Sequence, residues 1–220
     1  MTGGRRFIVW SVLPVLALSC PAEIIDRIAA TVGTKVITES MVMEQIRLAA
    51  FYDNKEPDFS SASKRNAADA LISRTLLVQE MDDTRYPDPP MSEVLQYLKD
   101  IIMPRFANED AYRKELARRR LTPEEVRGFL QLMIRTVDFI DLRFGRGQQV
   151  PSNEIDAWYR DHFLPDWMKS HPGESAPPLD DVSTQIETAL LKQKTDAATE
   201  EWLKQARAGA DIRYREEVFQ

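Results

Sequence analysis

The period of the apolar positions changes several times along the chain, and each change predicts an element. Residues Ile24 to Val32 are mostly apolar and rich in β-branched side chains, with Ile28, Ala30 and Val32 on one face at period two. Gly33-Thr34-Lys35 can reverse the chain and Val36-Ile37 can return it, which predicts a short hairpin or bent strand. Thr38 then offers a hydroxyl to cap a helix running to about Tyr52. A second helix is predicted over 64–82, with Leu71, Leu77, Val78 and Met81 as its apolar stripe, and Pro87, Pro89 and Pro90 stop it. A third is predicted over 92–103, punctuated by Pro104, and a fourth over 109–119.

Thr122-Pro123-Glu124-Glu125 carries the sharpest local signal. Thr caps, Pro takes the first helical position where no donor is needed, and the second Glu reaches back to the cap amide. The helix it opens is expected to reach Phe144 and end near Gly145. Its apolar positions cover more than one face, so it is expected to be buried from several sides as the central element. Ser152 is the expected cap of a helix holding Ile155, Trp158, Tyr159 and Phe163. Residues 164–178 contain four prolines and a glycine and are expected to be a connector. A long helix follows over 180–207, with Gly209 placed to end it, and Ile212 and Tyr214 share one face of a final strand. A lone strand cannot satisfy its backbone, so the two β-rich ends are expected to pair. The fold class is therefore mainly α, a helical core with a small β element formed by the N- and C-terminal strands.

Charge and cysteine usage narrow the partners. Among 220 residues, 35 acids outnumber 29 bases for a net charge of −6, which argues against nucleic acid as the main partner. A single Cys excludes a disulfide framework, and two His make a His-rich metal site a poor expectation. At the N-terminus, Arg5 and Arg6 precede an apolar run from Phe7 to Leu18 and then the small residues Ser19, Cys20 and Ala22. That order is the order of a secretory signal peptide over residues 1–22, with cleavage after Ser19 or Ala22 or lipidation at Cys20 as alternatives. The run is shorter than the ~20 residues a membrane-spanning helix needs, so the expectation is a periplasmic chain with no transmembrane span. Cleavage after Ala22 also removes the one thiol, which suits an oxidising compartment.

A family resemblance rests on the order of several segments. Ile25-Asp26-Arg27-Ile28-Ala29-Ala30-Thr31-Val32, a turn and Val36-Ile37-Thr38-Glu39-Ser40 resemble the opening of SurA-type and PrsA-type periplasmic chaperones. Leu71 to Glu80 is similar to their second helix, and Leu121 to Arg127 to the start of their long central helix. Pro151 to Tyr159 resembles the helix that leads into their isomerase module, and Gln185 to Ile212 their closing helix and strand. The resemblance implies a helical chaperone core of the trigger factor/SurA peptide-binding kind over residues 23–163, completed by 179–220. It departs from the family where a parvulin-type isomerase is usually inserted, because 164–178 is far shorter than the ~50 residues of a small domain. What it implies is an exported, ATP-independent holdase for unfolded or extended polypeptides, without isomerase activity. Other readings of the same residues are a dedicated assembly subunit with one fixed partner, a homodimer, or a prolyl isomerase.

No motif for covalent chemistry or nucleotide binding stands out, and neither a catalytic residue nor a cofactor is expected. His162 and His171, with Asp161 and Asp166, flank the connector and are expected to be solvated rather than metal-bound. Asp138 and Asp141 are expected to pair with Arg135 and Arg143, and Arg118-Arg119-Arg120 to form a solvated helix end. The candidate peptide-binding residues are Met41, Met43, Phe129, Met133, Val137 and Ile140, apolar or polarisable side chains that suit either a groove or a core.

Overall fold

The computed structural model describes residues 26–220; the expected signal segment, Cys20 and the start of the first strand at Ile24 lie outside them. Strands β1 (Ile28–Val32) and β2 (Lys35–Thr38) form an antiparallel hairpin. Gly33 makes its turn at φ +56°, a conformation that costs glycine least. A bulge between Ile28 and Ala30 breaks the simple alternation. Ile28 is therefore exposed, not on the core face with Ala30 and Val32 as period two required, and Ala29 is buried beside them.

Strand β3 (Ile212–Tyr214) pairs antiparallel with β1, with Ala30 opposite Tyr214 and Val32 opposite Ile212. The sheet order β2-β1-β3 places the first described strand at the centre, and the expected pairing of the two β-rich ends is present. Backbone bonds from Gly33 N–H to Asp211 O and from Arg215 N–H to Ala29 O, each 2.9 Å, extend the ladder at both ends.

Between these strands the chain is helical. Helix α1 (Glu39–Tyr52) is capped by Thr38, which accepts from the Met41 amide, and α2 (Ser61–Asp83) by Ser60, three residues earlier than the apolar pattern suggested. Helix α3 (Met91–Tyr97) is followed by α4 (Glu109–Arg119), capped by Asn108. Helix α5 (Pro123–Ile140) opens on the full capping box of Thr122 and Glu125. Helices α6 (Ser152–Trp158), α7 (Leu164–Ser170) and the 31-residue α8 (Leu179–Gly209) complete the set.

Three departures take the same form, a widened helical turn, and two of them precede a proline. The third helix is α only to Tyr97 and then widens into a π turn, Leu98–Ile102, before Pro104. Helix α6 widens likewise over Tyr159–Phe163 and runs on into α7, so half of the expected connector 164–178 is helical despite Pro165. A proline in a regular helix lacks a donor and collides with the carbonyl four residues back. Here the preceding residues, Met103 and Leu164, donate five residues back to Leu98 O and Tyr159 O, and the wider turn relieves that collision. Helix α5 ends in a third such turn, Asp141–Gly145, so its α segment stops four residues short of Phe144. Pro151, not Ser152, occupies the cap position of α6, and Ser152 is its first helical residue.

The core is divided into four clusters. Ala29, Ala30, Val32 and Ile37 of the sheet pack on Val42 of α1 and on Ala68 and Ile72 of α2, with Val218 and Phe219 closing the cluster from the chain end. A second cluster joins Leu48 and Phe51 to Val94, Ile102, Tyr112 and Leu116, with Val126 and Leu130 of α5. A third packs Leu77 and Met81 against Phe139, Phe144 and the half-buried Trp202. The fourth sets Val182, Ile186 and Leu190 of α8 against Trp158, Tyr159 and Phe163. Helix α8 thus runs from the fourth cluster through the third to the first.

A polar clamp fixes α8 and β3 to α2. Arg207 donates to Asp69 Oδ1 at 2.9 Å, to Ser73 Oγ at 2.9 Å and to Tyr214 OH at 3.0 Å. Tyr214 OH in turn donates to Asp69, and the Arg65 guanidinium lies 3.7 Å from the centre of the Tyr214 ring. Burial, reinforced by the bond to Asp69, raises the Tyr214 hydroxyl above its ordinary pKa, so it stays a donor. Replacing Arg207 by Ala leaves Asp69, Ser73 and Tyr214 short of a shared, charge-assisted donor. The expected loss is ~1.5–3 kcal/mol of unfolding free energy, read as a lower urea midpoint at an unchanged slope.

Candidate functional site

Two apolar stripes run side by side along α5. Val126, Leu130 and Ile134 recur at intervals of four and are buried. The neighbouring stripe is Phe129, Met133, Val137 and Ile140, and it is only partly covered. Phe129 and Met133 flank the second cluster, with the Phe129 ring 5.9 Å from that of Tyr52 and 5.8 Å from the guanidinium carbon of Arg74. Val137 is 52% exposed. The expectation that this helix is buried from several sides is met over most of its length, with Val126, Leu130 and Ile134 in the second cluster and Phe139 in the third on the opposite face, but beside Val137 it faces open space.

Where Val137 and Ile140 stand, that space is a concavity of about 640 Å³ between the end of α5 and α8. Leu191, Thr188 and Thr195 form its α8 wall. Thr195 and Thr188 return their hydroxyls to the carbonyls four residues back, at 2.9 and 2.8 Å, which satisfies them within the helix. Gly145 lets α8 come close at one end of the cleft, since a Cβ there would lie 3.4 Å from Thr195 Oγ1. Asp141, Arg146, Lys192 and Asp196 stand around the cleft and carry both signs of charge, with Lys192 and Asp196 paired at 2.5 Å.

Of the six candidate residues, the structure brings Val137 and Ile140 together at this cleft and sets Met133 and Phe129 along the same helix face. Met41 and Met43 lie elsewhere: Met41 is 39% exposed on α1, and Met43 lines a separate pocket near the end of α4. Leu191, Thr188, Thr195 and Gly145 were not among the candidates. The signal for them is the spacing of 188, 191 and 195 along one helix face, which an apolar count passes over because two of the three are threonines.

The other chemical candidates resolve differently from expectation. Arg135 pairs with Asp82 at 3.0 Å and Asp88 at 3.3 Å and donates to Tyr86 O at 2.6 Å. Arg143 lies 3.7 Å from Glu80. Both arginines therefore face α2 and the segment after it, not Asp138 and Asp141, because α5 packs its third cluster on that side. Among the described residues neither aspartate has an ion pair within 4.0 Å, and both border a shallow concavity with Tyr86 and Arg146. His171 stacks on Trp167 with ring centres 3.9 Å apart, and His162 lies 5.7 Å from Trp158. Among the described residues no three His, Cys, Asp or Glu side chains converge as a metal site would require. No helix of the described residues is long and apolar enough to cross a membrane.

Arg118-Arg119-Arg120 is not simply a solvated helix end. The Arg119 side chain is 4% exposed and donates to Glu115 at 2.5 Å and to Lys55 O at 2.6 Å. Arg118 is held between Glu115 and Glu56 by bonds of 2.8 to 2.9 Å. The segment following α1 folds over the end of α4 and supplies these partners, which the sequence pattern did not reveal.

No family model and no curated protein matches the chain.

The ion-pair cluster predicts a pH dependence. The bond from Arg118, with that from Arg119, overcomes desolvation and holds the Glu115 carboxyl down at about 2. A carboxyl whose folded pKa lies below its unfolded value stabilises the fold above the unfolded value, near 4.5, and loses that contribution as pH falls through the folded one. Wild type should exceed Glu115→Gln by ~1–2 kcal/mol in urea unfolding at pH 7, screening by solvent having reduced the full linkage value. The difference should shrink progressively below pH ~4.5 and vanish near pH ~2.

Proposed function

We propose that this protein holds unfolded or extended polypeptide segments by their apolar side chains, with no covalent step and no nucleotide. The observation that supports this most directly is the cleft of about 640 Å³ between α5 and α8, where the exposed Val137 stands with Ile140 and Leu191. An apolar concavity left open to solvent suits the apolar side chains of a polypeptide ligand. The charges around the cleft are mixed in sign, so it selects for apolar content over client charge. Each large client side chain buried there contributes ~1.5–3 kcal/mol before ordering costs, so affinities on the order of micromolar follow. Binding of that strength releases without an energy source.

The resemblance to SurA-type chaperones agrees with this reading and adds export to it. In place of an isomerase domain stand only helix α7 and the segment 171–178, so the proposed action is holding and not isomerisation.

The test is light scattering of several chemically unfolded clients at near-equimolar ratio. Wild type should suppress aggregation, and Val137→Asp combined with Leu191→Asp should reduce the suppression several-fold. Val137 is exposed, so the single Val137→Asp variant, checked by circular dichroism and thermal midpoint, serves as the folded control. Wild-type protein that leaves scattering unchanged for every client overturns the proposal. Isolation with one fixed stoichiometric partner would identify a dedicated assembly subunit in its place.

A further inference from the structure

A second concavity, about 360 Å³, lies where α1, the segment after it and the carboxyl end of α4 meet. Its floor is apolar, formed by Met43, Pro57 and the 38% exposed Phe59. Its walls are four arginines, 47, 118, 119 and 120, a concentration of positive charge in a chain of net charge −6.

The four arginines are not equivalent. Arg118 and Arg119 are committed to Glu56, Glu115 and the Lys55 carbonyl. Arg47 and Arg120 make no ion pair among the described residues, and the Arg47 Nε is buried with no hydrogen-bond partner. Glu44, on the same helix as Arg47, forms no ion pair with it; burial, with Glu125 nearby, raises the Glu44 pKa. Two of the carbonyls at the end of α4 are closed off from the pocket. Arg120 N–H and Leu121 N–H close onto Ala117 O and Leu116 O at 3.1 and 2.9 Å. Four guanidinium groups line the pocket against Glu56 and Glu115, with Glu44 close enough to feel the Arg47 charge, and Arg47 and Arg120 have donors to offer a ligand.

We propose that this pocket captures the C-terminal residue of a polypeptide, its α-carboxylate on Arg47 and Arg120 and its apolar side chain on Met43, Pro57 and Phe59. The combination selects the ligand. A phosphate would use the arginines and gain nothing from the floor. An internal Asp or Glu brings a carboxylate with almost no apolar body. An apolar C-terminal residue carries both on adjacent atoms, and its carboxylate can take paired donors from a guanidinium. The volume accommodates about one residue, at the lower end of small-ligand pockets. This deepens the proposed function, on which it rests for the nature of the ligand: a client with an apolar end would be anchored at a defined point while its interior is held loosely.

The experiment uses fluorescence anisotropy with a pentapeptide ending in Phe, labelled at its N-terminus, as the free acid and as the C-terminal amide. Full-length wild type should bind the acid roughly tenfold or more tightly than the amide, the worth of one charge-assisted contact. Arg47→Ala and Arg120→Asn should each bring the two affinities together; asparagine is chosen because residue 120 sits at φ +55°, which it tolerates. Equal affinity of acid and amide for wild type, no measurable binding of the acid, or a preference that survives in both variants overturns the proposal. Light scattering on unfolded clients is read alongside. Acid preference without suppression of aggregation leaves the pocket standing and removes the holdase reading, and suppression without acid preference does the reverse.

Discussion

The pairing of β1 with β3 is the constraint on which the remaining structure depends. Strand β1 sits between two partners, and only one of them, β2, is supplied locally. The other must be brought back from the far end of the chain, since Val32 faces Ile212. The entropic cost of closing so long a loop grows slowly with length, but something rigid has to make the return. Helix α8 does so: its 31 residues span ~46 Å at the helical rise, enough to cross three of the four clusters before the strand begins. Asp69, Arg207 and Tyr214 then fix the landing point, because their side chains bond one another across α2, α8 and β3.

A helix that long cannot lie against everything it passes. Helix α8 packs on the π turn at Gly145 and on Trp158 and Tyr159 nearer its start, and the cleft opens beside Val137 and Ile140. One π turn matters to this geometry because it lets a helix continue in a shifted register where a proline would have ended it. Through the turn at Tyr159–Phe163, the chain continues past Pro165 into α7, with Tyr159, Phe163, Trp167 and His171 stacked in a ladder at intervals of four. The division into four clusters follows from the same layout, with small cores strung along two long helices.

Much of the architecture was legible in the amino-acid order because its signals are local. The cap at Thr38, the capping box at Thr122, the limits of α4 and the alternation at Ile212 and Tyr214 depend on a few neighbouring residues each. What was not legible depends on register or on distant partners. Pro165 reads as a helix stop unless the preceding turn is known to be wide. The bulge beside Ala29 reverses Ile28 with no unusual residue to announce it. Arg135 had Asp138 at helical spacing and Arg143 had Asp141 nearby in sequence, yet their partners come from α2 and the segment after it, because the packing of Phe139 and Phe144 on Leu77 and Met81 decides which way they point.

The candidate site shows the same division. Phe129, Met133, Val137 and Ile140 stand out in the sequence as apolar, but apolarity alone does not separate a core stripe from a lining stripe. Adjacent residues on a helix are about 100° apart, so Leu130 and Phe129 belong to neighbouring rows of one apolar arc. Packed helices bury Val126, Leu130 and Ile134 on one side of α5 and Phe139 on the other, and cover Phe129, Met133 and Ile140 in part, which leaves Val137 exposed. The arc is therefore wider than the fold fully covers, and its uncovered part at Val137 faces the cleft beside α8, which runs on to deliver β3 to β1. The helix that carries the last strand to the sheet thus also forms the second wall of the cleft beside Val137 and Ile140.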